Sequence, residues 1–205
     1  MTDRLHWILL RGTLLLLSAG SAFAVPAIVW LALGNDSLDW EGDVGYAQGF
    51  PHRMVPTEPH VYATWDGHVT LSLDDASSQL RVAAALPDIL LTLAVGFVAG
   101  VLLLVVLNVQ EGRSFAGRAA SGLRWSATVI AVAAVTVPLA HTWGNRLVVE
   151  RALRHSDSAG SASPPGVTDA LPTIIVWLLV SLLVLAVSRA FGEGSRLSRD
   201  VEGLV

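Results

Sequence analysis

Cysteine and lysine are both missing from this chain of 205 residues. Without cysteine there is no disulfide framework and no thiolate metal site, and thiol catalysis is excluded. Without lysine, all fixed positive charge comes from arginine; beside the heavy use of Ala, Val, Gly and Leu, this reads most simply as a biased genome composition. Charge of either sign is scarce, at 15% of residues, and sums to −4, so the chain offers no basic field to a nucleic acid. Sequence motifs for catalysis are missing too: there is no HExxH, no GxSxG, no phosphate-binding loop and no carboxylate pair at helical spacing beside an apolar run. The expectation is a nonenzymatic protein without a cofactor and without direct nucleic-acid contact.

What is abundant is apolar surface. Hydrophobic residues make up 53% of the chain, beyond the share a soluble domain carries. A bilayer-crossing helix needs about 20 apolar residues, because every backbone polar group must be satisfied within the segment. Four runs qualify, at about 12–33, 89–109, 125–143 and 170–188. The predicted fold class is an all-α membrane bundle of four transmembrane helices, forming a single domain over 1–205, with the lipid bilayer as its first partner. A small extracytoplasmic module containing a β-hairpin is expected between helices 1 and 2, at 35–88, and a cytoplasmic tail at 189–205.

Arginine placement orients the chain. Arg4, Arg11, Arg113, Arg118, Arg124, Arg189, Arg196 and Arg199 lie in three short segments, against five in two much longer loops, which predicts both termini on the cytoplasmic side. Arg146, Arg151 and Arg154, close after the third run, argue the other way. Arg4, Arg11, the Leu run and the Ala22–Phe23–Ala24 stretch imitate a cleavable secretory signal. The apolar run continues to Leu33, longer than such a signal needs, and this favours an uncleaved anchor; an intact mass beginning near Val25 overturns that expectation.

The outer segment is acidic, with nine Asp and Glu against Arg53 and Arg81. Asp66-Gly67 between β-branched and aromatic flanks predicts a two-residue hairpin turn that sets Trp65 opposite His68, Thr64 opposite Val69 and Tyr62 opposite Leu71. A lone hairpin is marginal in water and needs a covering element; Arg81–Leu86 reads either as a third strand or as the start of the next helix. His52, His60 and His68 lack helical spacing or a cysteine to fix a metal site, and Asp74-Asp75 lacks the alternating oxygens of a calcium loop, so no metal is expected.

Within the apolar runs, His141 and Asn108 read as interfacial residues, and Ser181 has no His or Lys partner for catalysis. Pro26 and Pro138 remove backbone donors. Gly96 and Gly100 form a GxxxG pair for close helix packing, within the chain or across a homo-oligomer. After the second run, Ser114 is a candidate cap for a helix entering the third, with Gly112 supplying the turn. In the tail, Leu197, Val201 and Leu204 recur at i, i+4, i+7, the stripe of a short docking helix that cannot persist alone in water.

The pattern Phe191, Gly194, Leu197, Asp200, Glu202, Gly203 and Val205 at the C-terminus, with Gly112 and Phe115 after the second of four spans, resembles the bacterial family known as domain of unknown function 2975. The resemblance runs over essentially the whole chain, but only these two pieces are specific. It implies a bacterial inner-membrane protein, without an assigned activity and with no catalytic residue to carry over. It also implies a neighbouring small helix-turn-helix regulator of the Cro type as a possible partner. The leading functional expectation is a sensor or regulatory protein whose cytoplasmic tail, through Phe191, Gly194, Leu197, Asp200, Val201, Glu202 and Val205, docks a partner. The alternative is a transporter, or an accessory subunit of one, for a neutral or hydrophobic solute, with Thr92, Asn108, Thr136 and Ser181 lining a path.

Overall fold

The computed structural model describes residues 2–34, 37–42, 61–65, 69–73, 76–110, 117–153 and 167–202. Their elements run α1 (Thr2–Gly34), β1 (Leu38–Gly42), β2 (Val61–Trp65), β3 (Val69–Leu73), α2 (Ser78–Gln110), α3 (Gly117–Leu153) and α4 (Val167–Glu202). All four helices are long and apolar enough to cross a bilayer, and the chain is a multi-pass membrane protein. At 33 to 37 residues each, and about 1.5 Å per residue, they outrun a hydrocarbon layer of roughly 30 Å by several turns. Their flanks show why lipid must be the solvent: Leu16, Phe23, Trp30 and Leu183 are each more than three-fifths exposed. In water, surface of this kind would drive aggregation.

The extra length decides one open expectation and changes another. Arg81–Leu86 is helical, because α2 starts at Ser78. Ser77 supplies the cap: its Oγ accepts from the Leu80 N–H at 3.4 Å, and its carbonyl takes the first helical bond, from the Arg81 N–H, at 3.1 Å. At the other end of the chain, α4 runs unbroken from Val167 to Glu202, so positions 189–202 are not a separate docking helix. A segment that continues a formed span only propagates it, and tolerates Gly192 and Gly194 within it.

The strands form one antiparallel sheet in the order β1-β3-β2. Its register corrects the two-residue turn: Trp65 pairs with Val69, Thr64 with Thr70 and Tyr62 with Ser72, leaving three positions, 66–68, between the strands. Asp-Gly therefore marks the connection without setting its length, and three-residue connections containing Gly are the next commonest class. A one-residue slip exchanges every cross-strand partner. The third strand comes from Leu38–Gly42 rather than Arg81–Leu86 and pairs with β3, Leu38 opposite Leu73. Leu73 is buried.

The chain divides into two units, each holding parts of several helices. One comprises 1–25, 90–135 and 173–205; the other comprises 26–89 and 136–172 and includes the sheet. In the first, successive helices meet as antiparallel neighbours through small residues. In the second, α2 and α3 meet through Gly144, whose Cα lies against the Ala83 carbonyl: a Cβ there would stand 2.8 Å from that oxygen. Pro87, buried in α2, explains the partner. It removes the N–H that would bond the carbonyl four residues back, which is Ala83, and leaves that oxygen free to take a close Cα–H contact. Val148, one turn beyond Gly144 on α3, is fully buried.

Candidate functional site

The predicted site residues fall into three groups. Gly112, Phe115 and Val205 lie outside the described residues, as do His52, His60, His68, Asp74, Asp75, Ser114 and Leu204. Gly96 and Gly100 sit on α2 against α1. Phe191, Gly194, Leu197, Asp200, Val201 and Glu202 all belong to α4.

The α1–α2 seam is a small-residue contact with no room to spare. A Cβ on Gly96 would meet the Cβ of Ser21 at 2.5 Å, and one on Gly100 would meet Ser18 Oγ at 3.3 Å. Ser21 keeps its hydroxyl satisfied by donating to the Leu17 carbonyl in its own helix, at 2.6 Å. Across the α2–α3 seam, Gly122 admits Val101. The α3–α4 seam uses hydroxyl groups: Ser181 Oγ donates to the Ala127 carbonyl and Ser188 Oγ to the Ala120 carbonyl, both at 2.8 Å and both buried. The two serines are seven residues apart, as are their acceptors, so one antiparallel register serves both bonds. Ser181 thus has a structural partner, the backbone of α3, in place of a catalytic one.

That contact also orients the tail. At about 100° per residue, positions 197 and 201 fall roughly half a turn away from Ser188, on the flank of α4 opposite its contact with α3. The same flank carries the exposed Leu179 and Leu183, and Ala190 continues it. Gly194 lies toward this flank and is half-buried, whereas position 202 comes round near the Ser188 side. The structure therefore brings positions 194, 197 and 201 together and separates them from 202.

In the second unit, Asn145 is buried and its Nδ2 lies 3.2 Å from His141 Nδ1, one turn before it on α3; the amide N–H donates to Nδ1 in the tautomer that carries the ring proton on Nε2. Arg146 and Glu150 form an exposed i, i+4 ion pair at 2.9 Å. Among the described residues no three His, Cys, Asp or Glu side chains gather as a metal would require. Of the residues named for a solute path, Ser181 is spent on Ala127, Thr92 and Asn108 are half-buried, and Thr136 is exposed. Sequence reasoning missed Ser188, Ser18, Ser21, Gly122 and Gly144. The seven-residue spacing of Ser181 and Ser188 was the visible signal.

No family model, no curated protein and no solved structure matches this chain.

Proposed function

We propose that this is a nonenzymatic sensor or regulatory protein of a bacterial inner membrane, with both termini cytoplasmic, whose C-terminal extension of α4 docks a cytoplasmic partner. The observation that carries this reading is the placement of positions 194, 197 and 201 on the flank of α4 turned away from α3. An apolar stripe on that side is not covered by α3, the helix that Ser181 and Ser188 bind, and is placed for a second protein to cover it. Position 197 is nine residues past Ser188, about 13 Å further along the helix axis, which favours a protein partner over the hydrocarbon layer. A small helix-turn-helix regulator is the partner implied by the C-terminal resemblance, and membership of that family belongs to the same proposal. The acidic segment at 35–88, with its hairpin-containing module, is the part that senses or binds on the outer side, and a homo-oligomer would add further seams between chains.

Crosslinked pull-down from native membranes tests this, comparing the full chain with one ending at Ser188. The expected result is a cytoplasmic protein recovered only with the full chain, a DNA-binding protein pointing to transcriptional control. Identical recovery from both, or none from either, sinks the proposal.

A further inference from the structure

Arg11 is the one charged residue in the apolar stretch Trp7–Gly34 of α1. It shares a stripe with Leu14, Ser18 and Ser21, spaced three, four and three residues apart, and this is the stripe that meets Gly100 and Gly96 on α2. Leu14 is buried and Arg11 half-buried. The guanidinium is thus turned toward the helix seam and not splayed into open surroundings. Its Nε is fully buried, and among the described residues it finds no hydrogen-bond acceptor and no ion pair includes it. Arginine cannot shed its charge to relieve this. A buried guanidinium N–H without an acceptor is costly, more so than a neutral donor.

The seam tells what stands opposite. Ser21 faces Gly96 and Ser18 faces Gly100, so α1 and α2 run antiparallel, and two turns toward the N-terminus on α1 correspond to two turns toward the C-terminus on α2. This sets Arg11 level with Leu107 and Asn108, both half-buried in the last turns of α2. Asn108 brings amide donors to that level and no negative charge. Trp7, one turn beyond Arg11 on the same stripe, is the aromatic type that marks a membrane–water boundary. Arg11 itself directly precedes the uncharged run 12–33, which is long enough for one bilayer crossing. At that level the abundant anion is the phosphate of a phospholipid.

We propose that the α1–α2 seam at Arg11 binds the phosphate of an anionic phospholipid. The two Nη groups of Arg11, which lie beyond its buried Nε, form an end-on fork on two phosphate oxygens. The bidentate fork distinguishes this site from the exposed Arg124 and Arg189 of the same unit, which have water and any headgroup within reach.

Native mass spectrometry of the full chain, extracted from its membrane in mild detergent, tests the assignment. Wild type should retain a phospholipid adduct, Arg124→Gln should retain it equally, and Arg11→Gln should lower the bound fraction about tenfold or more, the loss of a charge-assisted hydrogen-bonded pair. Arg11→Lys keeps the charge without the fork and should fall between wild type and Arg11→Gln, which keeps the test usable if the glutamine variant does not fold. Competition with excess inorganic phosphate separates the sources: an adduct that survives it is held as a lipid, and one exchanged for free phosphate overturns the lipid assignment. Equal loss in the Arg11 and Arg124 variants, or no adduct on wild type, overturns the site.

Discussion

Replacing Gly96 by alanine places a methyl group where the Cβ of Ser21 already stands, 2.5 Å away, against an ordinary contact of 3.4 Å or more. The obstacle is a Cβ and not the end of a flexible side chain, so a rotamer change cannot relieve it. Helices α1 and α2 must separate by roughly 1 Å over that turn, an overpacking that costs about 1–3 kcal/mol. Alanine's better helix propensity returns about 1 kcal/mol, so Gly96→Ala should destabilise by up to ~2 kcal/mol net. Gly100→Ala is the internal control: its methyl would meet only the Ser18 hydroxyl, at 3.3 Å, and that group can swing aside. It should be neutral within ~0.5 kcal/mol. The cause is checked by second-site changes in Ser21. Ser21→Gly removes the offending atom and should recover most of the loss in Gly96→Ala, whereas Ser21→Ala keeps the Cβ and should recover none. Reversible unfolding in mixed micelles, read by circular dichroism, measures all five proteins. Equal losses for Gly96→Ala and Gly100→Ala, or equal rescue by Ser21→Gly and Ser21→Ala, would refute the steric reasoning.

The same micelle assay covers three further substitutions. Gly144→Ala drives a Cβ to 2.8 Å from the backbone oxygen of Ala83 and should cost about 1–3 kcal/mol, while Gly192→Ala, with nothing within 4 Å of its Cβ, should be tolerated or gain up to ~1 kcal/mol. Ser188→Ala removes a buried interhelical hydrogen bond but leaves its acceptor, the Ala120 carbonyl, bonded within α3, so the expected loss is only about 0.6 kcal/mol and a value above ~2 contradicts the account. Ser126 Oγ is buried and has no hydrogen-bond partner among the described residues, and Ser126→Ala should be neutral or stabilising; a clear loss of stability would reveal a role for that hydroxyl which the helix contacts do not.

The four helices were legible because one property, about 20 uncharged apolar residues in a row, decides the matter in a bilayer. Their ends were not. The second apolar run begins at about 89, yet α2 starts at Ser78 and passes through Pro87, and the carbonyl this orphans at Ala83 is covered by Gly144 from a helix more than fifty residues away in sequence. The β2–β3 register escaped for a related reason: Asp66-Gly67 suits both a two-residue turn and a longer connection, and the choice depends on how β1 and β2 line up along β3. Ser181 shows the limit at a single residue. As a catalytic candidate it lacked a partner of any reactive type, and its actual partner is a backbone oxygen, which no side-chain motif encodes. The tail stripe of 197 and 201 was visible as a period; the flank of α4 on which it lies follows only from the Ser181 and Ser188 bonds.

The central claim is that the far flank of α4 engages a protein. A photo-crosslinking residue placed in turn at each position from 195 to 202, in native membranes, measures this directly. The account predicts that one discrete protein product forms at 197 and 201, with little at 195 and 202. A product of equal yield all round the helix, or crosslinks to lipid alone at 197 and 201, would contradict it.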